Sequence, residues 1–237
     1  MTDDLGAEAL VAAVGERPVR TYPALLSTEA DALAWARADA PDGAVVVADY
    51  QAAPRGRSGL LWQVVPGRDL AFSVVLRPQL ALEREGWLYS VVTLALCDVC
   101  GDDARIRWPD EVRRGDVRVG AVGVHVEPGP RAVEWAVASV LLADVGPPRS
   151  PLLARVLAAI DRRSASPPAE TLAEHRARCT TIGRRVRAAL LPMGPNAQRL
   201  TGTAASTLKD GALVVATEEG TRVAVPPQSL WLLEDDQ

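Results

Sequence analysis

The sequence predicts an α+β fold in two parts, and three observations carry that reading. Helix-like and strand-like segments come in the order helix, helix, strands, helix, strands, helices, without the strict alternation of a parallel α/β fold. Apolar residues make up 48% of the 237 positions, enough to build a core for one sizeable domain plus a small one. The texture then changes to short alternating runs broken by "KDG" and "EEG", the pattern of a small antiparallel barrel or sandwich. The expected division is 1–192 and 193–237.

The elements follow in order. "GAEALVAAVG" reads as a short helix, and "STEADALAWARADA" as a second with Ser27 or Thr28 as N-cap. "GAVVVADY" is a continuous valine-rich run, so a buried strand. "LLWQVV" and "LAFSVVL" are expected strands joined by the turn "PGRD". "EREGWLYSVVTLALCDVCG" puts Leu88, Val91, Val92, Ala95 and Leu96 on one face of a central buried helix that Gly101 ends. "ARIRWPDEV" is a short strand entering a turn at Pro109. "DVRVGAVGVHVE" and "VEWAVASVLLADV" are further strands, the second an expected sheet edge where two subunits pair. "SPLLARVLAAIDRR" and "ETLAEHRARCTTIGRR" are amphipathic helices split by "SASPP".

Composition excludes several function classes. Net charge is −4 without long single-sign blocks, which argues against nucleic acid as the main partner. No apolar run reaches the ~20 residues that span a bilayer, and "MTDDLGAEAL" lacks a signal peptide's basic and apolar regions. A cytoplasmic location is the expectation. Cys97, Cys100, His175 and Cys179 have the residue types of a zinc site, but Cys97 and Cys100 lie in an apolar helical run without a second CxxC. They read as buried helix residues, and no zinc is expected. His125 in a valine-rich strand reads as structural, and no Ser–His–Asp or Cys–His set has local support.

The chemistry-bearing stretch is "QAAPRGRSGLLW", residues 51–62. Arg55 and Arg57 flank Gly56, and Gly59 follows, so a permissive backbone carries two guanidinium groups suited to an anion. Pro54 stiffens the same turn. A solvated loop pair is the other reading of the two arginines.

The order and spacing of these segments resemble the biotin protein ligase family, from about residue 23 to the C-terminus. "LSTEADALAWA" resembles its "STN" segment and the helix that follows. "VVVADYQAAPRGRSGLLW" resembles "vvAexQtaGRGRxGRxW", the loop over biotin and adenylate. "LAFSVVLRP", "RIRWPDEV" and "VRVGAVGV" resemble "lxxSvllrP", "kiKWPNDi" and "KxxGiL". "CTTIGRRVRA" and the terminal runs resemble "tlGrxVrv" and an SH3-like barrel. With no helix-turn-helix ahead of them, the segments look like the short, non-repressor type.

The resemblance implies a biotin/lipoate ligase-like mixed sheet with helices, plus a small C-terminal SH3-like β-barrel. It implies an enzyme using ATP and Mg²⁺ to make biotinyl-5′-AMP and pass the acyl group to a lysine of a biotin carboxyl carrier domain. Such chemistry needs positive charge at the phosphate, oxygen ligands for a hard cation, and a loop that keeps water from the anhydride. By resemblance Arg118 and Arg57 are the catalytic arginines. Ser27, Thr28, Gln51, Arg55, Gly56, Arg57, Trp62, Arg107 and Trp108 bind biotin or a related small carboxylic acid and its adenylate, and Asp110 and Glu111 hold Mg²⁺. Each has a plainer reading: Gln51 as a strand-end polar residue, Trp62 as packing, Asp110 and Glu111 as an exposed acidic turn.

Several positions depart from the family pattern. Pro54 and Leu60 replace a glycine and an arginine, Glu29 replaces asparagine, and Arg107, Asp110 and Glu111 replace lysine, asparagine and aspartate. Arg118 stands for the lysine of "KxxG"; Lys209, the one lysine in the chain, lies in a turn of the terminal part. "AVASVLLADV" lacks the glycines and asparagine of "GxGxN", so Ala138 and Leu142 are expected to narrow the biotin end. Three functions remain open: an acyl-adenylate-forming ligase, a degenerate relative that binds a ligand or protein, and an acyl-transferring enzyme for a different acid.

Overall fold

The computed structural model describes residues 4–194 and 198–236. In chain order the elements are α1 (Ala7–Val14), β1 (Val19–Leu25), α2 (Thr28–Arg37), β2 (Val45–Gln51), β3 (Leu70–Leu76), α3 (Trp87–Cys100), β4 (Arg105–Arg107), β5 (Glu111–Arg114), β6 (Val117–Pro128), β7 (Val133–Leu142), α4 (Ser150–Ala165), α5 (Pro168–Arg178), β8 (Arg185–Leu190), β9 (Arg199–Thr207), β10 (Leu213–Ala216), β11 (Arg222–Val225) and β12 (Leu230–Asp235). A mixed seven-stranded sheet runs β1-β2-β3-β7-β6-β5-β4, with β1 and β2 parallel and every other pair antiparallel.

The pleat divides that sheet's two faces. Val45, Val47, Leu70, Phe72, Val74, Ala136, Ala138, Val140 and Leu142 bury against α3 and α4. Val46, Val75, Trp135 and Val137 face the other way, onto Ala32 and Ala36 of α2. Two apolar faces explain why β2, β3 and β7 read as nearly unbroken apolar runs. The α3 run is buried from Trp87 to Cys97 because the sheet lies on one side and α4 and α5 on the other. Gly101 (φ 108°) ends the helix.

A second, antiparallel sheet runs β11-β10-β9-β8-β12 around Val186, Ala188, Ala204, Leu213, Val215, Val225 and Leu230. β11 and β12 remain its edges, so no closed barrel forms among the described residues. β8 precedes the expected division at residue 193 and belongs to this sheet. No helix among the described residues is long and apolar enough to cross a membrane.

Two expectations need correction, and one strand has no counterpart in the sequence reading. β7 is not an edge: it lies between β3 and β6, so it has no free side for a second subunit. "LLWQVV" is not a strand; only Leu61 bridges, to Arg55, because the segment closes the loop that precedes it. β1 went unread because its polar, proline-bearing sequence "VRTYPAL" gives no clean alternation.

Candidate functional site

The site begins with a polar row on the α2 side of the large sheet. Ser73 and Ser139 are register partners on β3 and β7, and Gly123 of β6 is the next partner across. On this face the row separates the Val75–Val137–Trp135 cluster from a second one, Trp62, Ala71, Ala121 and Leu141. The two hydroxyls lie 2.9 Å apart, and Ser73 donates to Thr28 Oγ1 at 3.0 Å. The amide N–H and the hydroxyl of Thr28 donate to Gln51 Oε1 at 2.8 and 3.2 Å. Ser27 Oγ is buried beside them without a partner.

The loop of residues 52–62 lies across this face. Its ends are clipped by Trp62 N–H to the Pro54 carbonyl (3.0 Å) and Gly56 N–H to the Leu60 carbonyl (2.8 Å). A Cβ on Gly56 would sit 2.3 Å from the Trp62 indole nitrogen, and one on Gly123 would sit 2.9 Å from the Gly56 carbonyl carbon. Only glycine at both positions lets the loop rest on the sheet with Trp62 beneath it.

Beside the loop is a cavity of about 370 Å³ lined by Arg57, Trp62, Arg107, Asp110, Glu111 and Arg118, with Leu232 and Leu233 of β12 at its wall. Arg57 Nε is 3.2 Å from Asp110 Oδ2. Glu111 is held by Arg113 at 2.8 Å and faces Arg118 at 3.7 Å. Burial pushes the Asp110 carboxyl above the usual carboxylate range, with Arg57 working against that shift and Glu111 adding to it. Burial also raises Glu29, opposed by the nearby Arg55. Tyr89 is buried close to Asp110, and its hydroxyl accepts from Val124 N–H at 3.2 Å.

Arg57, Trp62, Arg107, Trp108, Asp110, Glu111 and Arg118 therefore line one cavity. Ser27, Thr28 and Gln51 form a separate polar group at the end of β2, with Gly56 between the two sets and Arg55 exposed. Trp108 is mainly a junction residue: it is 2% exposed in the core of the second sheet, and its indole N–H donates to the Gly211 carbonyl. Ala138 and Leu142 do not narrow this face. The pleat turns both toward α3, and Ser139 is the β7 side chain that reaches it. Ser73, Ser139 and Tyr89 were not anticipated; the matching alternation of β3 and β7 held the signal for the serines.

The acidic pair does not fit a magnesium site. Asp110 is taken by Arg57 and Glu111 by Arg113, so neither carboxylate is turned toward a cation. The cysteines are free; Cys97 is buried and its thiol is pushed up to about 12. His125 stacks on Trp135 at 5.8 Å, away from the cavity lining.

The Biotin/lipoate A/B protein ligase family model matches residues 23–139. The biotin–[acetyl-CoA-carboxylase] ligase of Mycobacterium tuberculosis is 31% identical over 215 residues, 79% of this chain and 79% of that protein. In fold, the chain is similar to the biotin protein ligase of Aquifex aeolicus in complex with biotin and ATP, with TM-score 0.69, 19% identity and coverage of 92% and 99% of the two chains. It is also similar to a biotin protein ligase-like protein of unknown function from Silicibacter sp. TM1040, with TM-score 0.67, 15% identity and coverage of 90% and 95%.

Proposed function

This chain belongs to the biotin/lipoate A/B protein ligase family, and we propose that it is a biotin-protein-ligase-type enzyme. It joins biotin or a related small carboxylic acid to the AMP of ATP, then passes the acyl group to a lysine of a carrier domain. The observation that carries this reading is the convergence of Arg57, Arg118, Arg107 and Trp62 on one cavity beside the glycine-based loop. The biotin and ATP held by the Aquifex aeolicus protein support the ligand pair.

In the first step a carboxylate oxygen attacks the α-phosphorus. A C–O–P bond forms and the bond to pyrophosphate breaks. Arg118, still partly exposed, supplies positive charge where the phosphoryl oxygens gain it. The row Gln51–Thr28–Ser73–Ser139 offers hydrogen bonds to the polar end of the acid. The loop of residues 52–62 shields the mixed anhydride from water. In the second step the lysine amine attacks the acyl carbon and AMP leaves. No step is assigned to a metal, because Asp110 and Glu111 are both engaged by arginines.

One observation favours a second reading, a relative that binds a ligand or protein without turnover: chain groups already hold the Arg57 guanidinium. We further infer that the open second sheet is a divergent SH3-like barrel packed against the site by β12. The test is to incubate the purified chain with ATP, biotin and a biotin carboxyl carrier domain. Pyrophosphate release with biotin on the carrier lysine supports the ligase. A biotin-induced thermal shift without pyrophosphate identifies the binder, and transfer only with another acid shifts the substrate.

A further inference from the structure

The Arg57 guanidinium already holds an anion. Its Nε faces Asp110 Oδ2 at 3.2 Å, and the two side chains are only 5% and 13% exposed. Nη1 donates to the Leu230 carbonyl and reaches Ser58 Oγ at 3.5 Å, and Nη2 donates to the Trp231 carbonyl at 3.4 Å. The chain therefore hydrogen-bonds both terminal nitrogens, while Nε lies at ion-pair distance from Asp110 and is buried without a hydrogen bond of its own. The β12 carbonyls hold the two terminal nitrogens independently of Asp110, which faces Nε alone.

Asp110 lies on the cavity wall, and the charged groups around it are Arg57, Glu111 and Arg118, with Tyr89 buried behind. Glu111 is itself held by Arg113, which leaves Asp110 as the carboxylate that answers Arg57. A ligand carboxylate or phosphate approaching Arg57 meets this charge first. Two anions sharing one guanidinium in a buried site repel each other unless one leaves or takes a proton.

We propose that Asp110 is a specificity-determining residue: as an internal carboxylate beside Arg57 it competes with the ligand's own carboxylate or phosphate and weakens its binding. This rests on the reading of the cavity as the acyl-adenylate site. It differs from a catalytic role for Asp110, because it predicts that removing the charge tightens binding.

The test is isothermal titration of the wild type, Asp110→Asn and Asp110→Ser with biotin and with biotinamide. Each variant should bind biotin about tenfold or more tightly while its affinity for the amide stays unchanged. Biotin affinity that is unchanged or weaker in both variants overturns the proposal. Inorganic pyrophosphate is the second probe, since it reads anion access to Arg57 with no acyl ligand. If no form binds biotin or biotinamide, the ligase reading fails, and pyrophosphate then decides this one. A larger pyrophosphate-induced thermal shift in the variants supports the internal anion; equal shifts overturn it. Asp110→Ser, smaller as well as neutral, serves if Asp110→Asn does not fold.

Discussion

The indole N–H of Trp108 donates to the carbonyl oxygen of Gly211 at 2.9 Å, across the junction of the two sheets. The Trp108 amide N–H donates to Thr181 Oγ1 at 2.9 Å, so one buried residue joins the β4–β5 turn both to the α5–β8 turn and to the β9–β10 turn of the second sheet. That turn carries Asp110, and the sheet carries the β12 carbonyls that hold Arg57. The geometry of the cavity thus depends on a contact at its back.

Trp108→Phe keeps the ring and removes the donor, leaving the Gly211 carbonyl buried without its partner. The expected loss is about 1–3 kcal/mol in urea unfolding. Trp108→Ala should cost about 3–5 kcal/mol because a cavity opens in the second core. Wild-type stability for the Phe variant would mean that the contact does not hold the sheets together.

Gly123→Ala tests the seat of the loop. The new methyl group would lie 2.9–3.1 Å from backbone atoms of Gly56 and Arg57, which cannot swing away as a side-chain tip would. The loop must lift from β6. The expected outcome is about 1–3 kcal/mol of lost stability, together with faster limited proteolysis within residues 52–62. Unchanged protease sensitivity would show that the loop is not seated on Gly123.

Arg149 is 5% exposed and bridges Asp4 at 2.7 Å and Asp49 at 2.6 Å, tying the first residues of the fold to the start of α4. The hydrogen bonds from Arg149 hold the Asp4 carboxyl below its usual 3.8. A depressed carboxylate stabilises the fold above its unfolded pKa, and that contribution is lost as pH falls through the folded value. Asp4→Asn should therefore flatten the fall of the melting temperature below about pH 4. Arg149→Ala strands two carboxylates and should cost about 3–5 kcal/mol. An unaltered acid limb in Asp4→Asn would remove Asp4 from the account.

His175 is 1% exposed, and burial, helped by Arg176, pushes its pKa from 6.5 down to about 4. The folded chain keeps the ring neutral while the unfolded chain takes a proton, so stability falls as pH drops from about 6.5 toward 4. The loss by pH 4 is on the order of 3 kcal/mol. Urea unfolding of the wild type and His175→Asn at pH 7 and pH 4.5 checks this. The variant should lose most of the difference between the two pH values, and an identical difference contradicts the assignment.

Much of the fold was legible because burial on both faces makes β2, β3 and β7 unbroken apolar runs, and because α3 ends on a glycine. The same apolar continuity argued against an edge position for β7, since an edge beside solvent would carry polar or charged positions. β1 was hidden by Arg20, Thr21 and Pro23. At the site, the residue types of the loop and of "RWPDE" were readable, and so was the charge change at Asp110. Their pairing was not. Arg57 meets Leu230 and Trp231 more than 170 positions along the chain, and no local pattern encodes such a contact. The faces of Ala138 and Ser139 followed only once the register of β7 with β3 was known.

The most direct measurement is biotin-dependent exchange of labelled pyrophosphate into ATP, which reads adenylate formation without a carrier domain. The ligase account predicts exchange by the wild-type chain with biotin or a related acid, falling about 10²–10³-fold in Arg118→Ala. No acid-dependent exchange at saturating ATP, from a folded chain that still binds the acid, would contradict it.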